Sequence, residues 1–328
     1  MGIPARAGPC VRANVLAAAA VWCALALPAA AQDTHVLVIT GVAGDDEHAG
    51  QFHKWAMAVV DAAGRLGVPD AQVAYLSDKP EQDPARIRGR STKDNVAKAF
   101  AETAARAKPN DEVFVLLIGH GSFDGRVGAF NLPGPDLAVS EYAKLLDKLA
   151  LQRVTFVNTA SSSGAFLQPL AGPGRIIVTA TKTGGERNET RFPAYFVEAF
   201  RDEAADRDRN GRVSMLEAFD YARTRVASAY EQGGHILTEH AVLDDGSEGK
   251  LAAMLFLAPR AARAAASATA DPALRALLEQ RDTLERQVAE LRLRKDGMDP
   301  ARYERELETL LTDLAVTTRT IRAIEAKK

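Results

Sequence analysis

The sequence predicts an α/β fold: a mostly parallel sheet flanked by helices on both faces, followed by an antiparallel helical hairpin. Three observations carry this. Short runs of Val, Ile and Leu recur between His35 and Ala180, and they are continuous rather than alternating, the pattern of strands covered on both sides. Stretches with helical spacing separate them. Past residue 270 the apolar residues form two heptad-like seams around a Gly-Pro break.

In chain order, His35–Thr40 is a buried strand stopped by Gly41 and Gly44. Phe52–Leu66 is an amphipathic helix with Phe52, Trp55, Val59 and Ala63 on one face, ended by Gly67 and Pro69. Val73–Leu76 is a second strand, and Pro80–Arg90 a polar loop. Ser91-Thr92 starts a helix running to about Ala107, stopped by Pro109-Asn110. Val113–Ile118 is the third strand, Ser140–Leu149 a helix, Val154–Val157 the fourth strand and Arg175–Ala180 the fifth. Ala258–Ala270 is an Ala/Arg/Ser linker. Pro272 then opens a helix whose seam is Leu274, Leu277, Leu284, Val288 and Leu291. After Asp296–Pro300, a second seam follows through Tyr303, Leu307, Leu310, Leu314, Thr317, Ile321 and Ile324. Such a hairpin at 271–328 packs on its own domain, self-associates or binds a partner.

Composition narrows the function classes. The chain has 328 residues, 47% hydrophobic and 26% charged, ordinary for a globular protein with room for one sizeable domain and an accessory segment. A formal charge of −2 gives no basic surface for nucleic acid. The N-terminus reads as a signal peptide over 1–31: Arg6 and Arg12 precede the apolar stretch Ala13–Leu27, and Ala29-Ala30-Ala31 is a cleavage site before Gln32. Export to a bacterial periplasm or beyond is expected, with no membrane-spanning segment after cleavage. Trp22 before Cys23 argues against a lipoprotein signal. Both cysteines, Cys10 and Cys23, lie in that leader, so the mature chain has no disulfide, thiolate ligand or thiol nucleophile, and its formal charge becomes −4.

The most specific motif is Asp206–Glu217, which fits a twelve-residue EF-hand loop. Asp206, Asp208 and Asn210 supply side-chain oxygens at positions one, three and five, and Gly211 makes the turn. Arg212 offers its carbonyl, Ser214 ligates directly or through water, and Glu217 is the bidentate carboxylate. Phe196, Phe200 and Ala204 place a helix before the loop; Leu216, Phe219, Ala222 and Val226 place one after it. Calcium is the expected cofactor. Arg207, Arg209 and Arg212 cancel the three acids, and no second loop of this type exists to pair with it, so an affinity of roughly 10⁻⁴–10⁻³ M is expected. Two other acidic stretches carry less. Asp45–His48 with His53 reads as a surface turn rather than a metal cluster, and Asp244–Glu248 as a polar hairpin turn rather than a weak calcium site.

Two strand ends carry the remaining signal. Val113–Ile118 runs into Gly119-His120-Gly121, and Val154–Val157 into Thr159-Ala160-Ser161-Ser162-Ser163-Gly164. Ligands on parallel sheets sit at such carboxyl ends. This pairing resembles the caspase/legumain-like cysteine peptidases (peptidase C13, the caspase-hemoglobinase fold), in which the second strand ends Asp-x-Cys-x-Ser-Gly. The resemblance spans about residues 33–257 and rests on these two short motifs and strand order. It implies that His120 holds the acid/base position, Gly121 the oxyanion-hole position and Ser161 the position of the nucleophilic Cys, with Thr159 where the Asp stands. It also implies that Lys182–Arg191 is a specificity-setting loop, in which Arg187 and Arg191 either favour an acidic ligand group or are simply solvated. A hydroxyl needs an aligned base to lose its proton, which a thiol needs far less, so Ser in a Cys position favours loss of catalysis. The sequence therefore favours a non-catalytic, exported calcium-binding protein with a peptide- or protein-binding cleft. The alternatives are a serine-type peptidase using Ser161 and His120, with Ser162 or Ser163 as lesser nucleophile candidates, and an oligomeric scaffold with a vestigial cleft.

Overall fold

The computed structural model describes residues 32–209, 212–257, 271–293 and 295–325. The segment read as a signal peptide, the 258–270 linker, and Asn210 and Gly211 of the 206–217 loop lie outside the described residues.

A seven-stranded sheet forms the centre. Its strands are β1 (Thr34–Thr40), β2 (Val73–Ser77), β3 (Gly89–Arg90), β4 (Glu112–Ile118), β8 (Arg153–Asn158), β9 (Arg175–Thr179) and β10 (Val242–Asp244), in the order β10-β9-β8-β4-β1-β2-β3. All neighbours pair parallel except β10, which runs antiparallel to β9. A separate three-stranded antiparallel sheet joins β5 (Gly121–Phe123), β6 (Gly128–Phe130) and β7 (Leu137–Ala138).

Every residue of β1 and β4 is buried, as continuous apolar runs require when both faces are covered. Val36, Val38, Phe114, Leu116 and Ile118 face one core, closed by α1 (Asp46–Arg65), α5 (Phe192–Glu198) and α6 (Met215–Gln232). Leu37, Ile39, Val113, Val115 and Leu117 face the other, closed by α2 (Lys93–Arg106), α3 (Val139–Leu146) and α4 (Leu167–Leu170). The chain leaves β1 towards β2 on one side and returns to β4 on the other. The strand order thus reverses between β1 and β4, the place where sheets of this kind hold ligands.

Several elements differ from the sequence reading. Helix α1 starts at Asp46, because the Asp45 carboxylate accepts the His48 N–H at 2.8 Å and caps it; the acidic stretch is a helix start and not a turn. The polar loop 80–90 contains β3, whose Arg88-to-Arg90 backbone covers the rim of β2. The helix at 140–149 is α-helical from Val139 to Leu146 and tightens to a 3₁₀ turn over Asp147–Leu149. The helix before the 206–217 loop ends at Glu198, leaving Phe200 in a turn and Ala204 in the 3₁₀ turn Glu203–Ala205.

The hairpin pairs α7 (Pro272–Leu293) with α8 (Pro300–Glu325), the longest helices described. Leu274, Leu284, Val288, Leu291, Thr317 and Ile321 are buried along the predicted seams, whereas Leu311 and Val316 lie on the outer face. Among the described residues, no helix is long and apolar enough to cross a membrane.

Candidate functional site

His120 follows β4 and Ser161 follows β8, and these neighbouring strands bring both residues to one recess. Phe52 and Trp55 from α1 wall it on one side, and Glu189, Thr190 and Pro193 on the other. About 10 Å³ is open inside, room for one water molecule at most. The cleft expected from sequence is thus closed in this structure.

The two residues share the recess without sharing a hydrogen bond of useful kind. The Ser161 hydroxyl donates to the Gly121 carbonyl at 3.2 Å and accepts the Gly121 N–H at 3.4 Å. Its proton therefore points at a backbone acceptor. The same contact occupies the N–H assigned to the oxyanion hole. A Cβ at Gly121 would stand 2.4 Å from the Ser161 carbonyl oxygen, which is why only glycine fits where these strand ends touch. The His120 ring packs 5.5 Å from Phe52 and 5.7 Å from His48, centroid to centroid.

Thr159 is fully buried and donates its hydroxyl to the Leu117 carbonyl at 2.8 Å, a bond that ties β8 to β4. Ser162 and Ser163 are buried, as Ser161 is. Ser163 accepts the Thr181 N–H at 3.1 Å, and Ser162 sits in the left-handed region at φ 57°, strained for a residue with a Cβ. Gly164 behind them has no room for a side chain: a Cβ would lie 2.3 Å from the Lys182 carbonyl carbon.

His48 is a member of the recess rim that sequence reasoning placed elsewhere. It bonds Asp45 at 2.7 Å and stands 3.3 Å from Glu189. The bond to Asp45 raises its pKa above the ordinary imidazole value, and Glu189 adds to the effect. The signal was present as Asp45-x-x-His48, an N-cap spacing, but nothing local pointed to the distant Glu189. His53 lies apart, bonded to the Tyr75 hydroxyl at 3.2 Å. Arg187 and Arg191 serve internal contacts: Arg187 donates to the Phe123 carbonyl at 3.2 Å, and Arg191 lies 4.8 Å over the Tyr230 ring.

At the other motif, Asp206, Asp208 and Glu217 bring carboxylate oxygens within 4.8 Å of one another. Calcium binds oxygens at about 2.3–2.6 Å, so ligands on one ion lie up to about 5 Å apart, and this triad fits that sphere. Ser214 is the N-cap of α6; its hydroxyl accepts the Glu217 N–H at 3.2 Å, and the Glu217 carboxylate takes the Ser214 N–H at 2.9 Å and the Arg207 N–H at 3.0 Å. The loop exit has a partner in place of a second loop: Ser214 bridges Phe256, Met215 N–H bonds the Leu255 carbonyl at 2.9 Å, and Leu216 N–H the Ala252 carbonyl at 3.1 Å. Arg207 leans towards Asp220 at 3.9 Å, and Arg212 turns away to the hairpin.

Asp245, in the second acidic stretch, is committed elsewhere. It accepts N–H groups from Ser247, Gly249, Leu251 and Ala252 at 2.8–3.0 Å, so both oxygens organise the backbone. Among the described residues no strand returns after β10, so this is a capped turn leading to the loop's partner segment and not a hairpin.

No family model matches the chain, and no curated protein matches it. Among solved structures, it is similar to protein GSU0716 from Geobacter sulfurreducens, at 14% identity and a TM-score of 0.43, covering 65% of this chain and 92% of that one.

Proposed function

We propose that this is an exported, calcium-binding, non-catalytic relative of the caspase/legumain-like peptidases, acting through protein or peptide binding. The observation that carries the loss of catalysis is the Ser161 hydroxyl donating to Gly121 and leaving His120 packed against His48 and Phe52. A hydroxyl nucleophile works only when a base takes its proton in the transition state. The pairing of His120 with Ser161 on adjacent strand ends supports the kinship itself.

Calcium is supported by the match of the 206–217 sequence to the EF-hand pattern and by the spacing of Asp206, Asp208 and Glu217. The ion would hold the start of α6 against the 252–256 segment, a structural role beside the sheet. Export is supported by the basic, apolar and Ala-rich order of the first 31 residues and by a cysteine-free remainder.

Purified protein incubated with a peptide library, with and without calcium, tests the reading. No cleavage is expected in either condition. Cleavage abolished by Ser161→Ala would establish the serine-peptidase alternative. Calorimetric calcium titration of the wild type and Glu217→Gln tests the metal; identical traces reject it.

A further inference from the structure

The calcium loop and the C-terminal hairpin meet at one side chain. Arg212 is the loop residue whose carbonyl is assigned to the ion, and its guanidinium points out of the loop. It lies 4.4 Å over the Phe256 ring, stands 3.4 Å from Asp282, and is ion-paired with Glu285. These side chains are well shielded, with Arg212 only 16% exposed and Glu285 23%. Arg281 closes the group from the hairpin's own side, 3.6 Å from Glu285 and 3.7 Å from Asp282. Phe256 belongs to the segment bridged to Ser214, so the loop exit, the aromatic wall and α7 form one continuous contact.

Charge decides what an ion does to this contact. Asp206, Asp208 and Glu217 put three negative charges on the loop from which Arg212 projects. A bound dication satisfies the three loop carboxylates. It leaves the loop with two formal positive charges facing the acids of α7. A carbonyl held on the ion also fixes the backbone from which the guanidinium projects.

We infer that calcium occupancy and docking of the C-terminal hairpin are one coupled equilibrium, with Arg212 as the clasp. The ion tightens the hairpin on the α/β body, and Asp282 and Glu285 tighten the ion by the same factor, as linkage requires. This rests on the calcium reading above.

The test uses the full chain. Calorimetric calcium titration compares the wild type with the double variant Asp282→Asn/Glu285→Gln, and amide exchange follows residues 272–293 with and without calcium. The double variant is expected to bind calcium roughly fivefold more weakly. Calcium is expected to slow exchange across α7 in the wild type. In Arg212→Gln, which keeps the carbonyl, calcium still binds and leaves α7 exchange unchanged. Equal affinities in the wild type and the double variant overturn the coupling. So does α7 exchange that ignores calcium in a wild type that binds it, or responds equally in Arg212→Gln. A wild type giving no heat, or the same heat as Glu217→Gln, removes the calcium reading itself and the coupling with it, so the two failures are told apart.

Discussion

Replacing Asp245 with Asn is the most exacting test of how the 206–217 loop is supported. Asp245 is only 7% exposed, and its carboxylate accepts four backbone N–H groups, two on each oxygen. Hydrogen bonds to a charged acceptor contribute about 1.5–3 kcal/mol each. An Asn side chain keeps one acceptor oxygen for Ser247 and Gly249. Its amide then faces the N–H groups of Leu251 and Ala252; Leu251 keeps the Ser247 hydroxyl at 3.1 Å, so Ala252 is left as an unpaired buried donor at about 1–3 kcal/mol. With the weaker bonds to a neutral acceptor added, the expected loss is about 2–4 kcal/mol, a large share of the stability of an ordinary domain. Burial alone would raise this carboxyl's pKa, but the N–H bonds outweigh it and hold the pKa below the usual range near 4. A depressed folded pKa means the stabilisation is present above the unfolded value and is lost as pH falls through the folded one. Urea unfolding followed by circular dichroism at neutral pH and below pH 4 reads both effects. The wild type should lose stability across that acid window more steeply than Asp245→Asn. A loss under 1 kcal/mol, or identical acid slopes, refutes the argument. Because Leu216 N–H bonds the Ala252 carbonyl, the same variant should also weaken calcium binding.

Three further outcomes are expected. His48 should titrate by proton NMR above the ordinary imidazole value and fall back in Asp45→Asn; its contribution to the fold is present at low pH and fades as pH rises through the raised pKa. A His48 resonance titrating at or below the ordinary value counts against the contact with Asp45. Ser161→Cys should remain without peptidase activity, because a side chain turned to Gly121 is not presented to His120; cleavage of a peptide library by that variant would contradict this geometry. Gly164→Ala should lower stability by roughly 1–3 kcal/mol, since its Cβ meets the Lys182–Thr183 backbone at 2.3 Å; an unchanged melting temperature shows that the turn yields.

The central sheet was legible because its strands advertise themselves. Runs such as Val113–Ile118 are apolar at every position, and a core on each face is the one environment that accepts them. The small sheet escaped notice for the opposite reason. Gly121–Phe123 and Gly128–Phe130 are three residues each, glycine-led, and held by pairing to one another rather than by pattern. β10 was hidden by its half-buried, partly acidic sequence, Val242-Leu243-Asp244. At the strand ends, motif spacing placed His120 and Ser161 together, yet it did not reveal where the hydroxyl points. That direction depends on the close approach of Gly121, a contact forty residues away in sequence. Glu189 and Glu285 joined their clusters through long-range packing, which no local spacing encodes.

The rims of the seven-stranded sheet have a bearing on how copies of this protein coexist. One rim is the two-residue β3 and the other the three-residue β10. Such short borders present too few free amides and carbonyls to template a foreign strand, so growth by strand addition is blocked at both sides. Crowded copies are thereby hindered from joining edge to edge into fibrils.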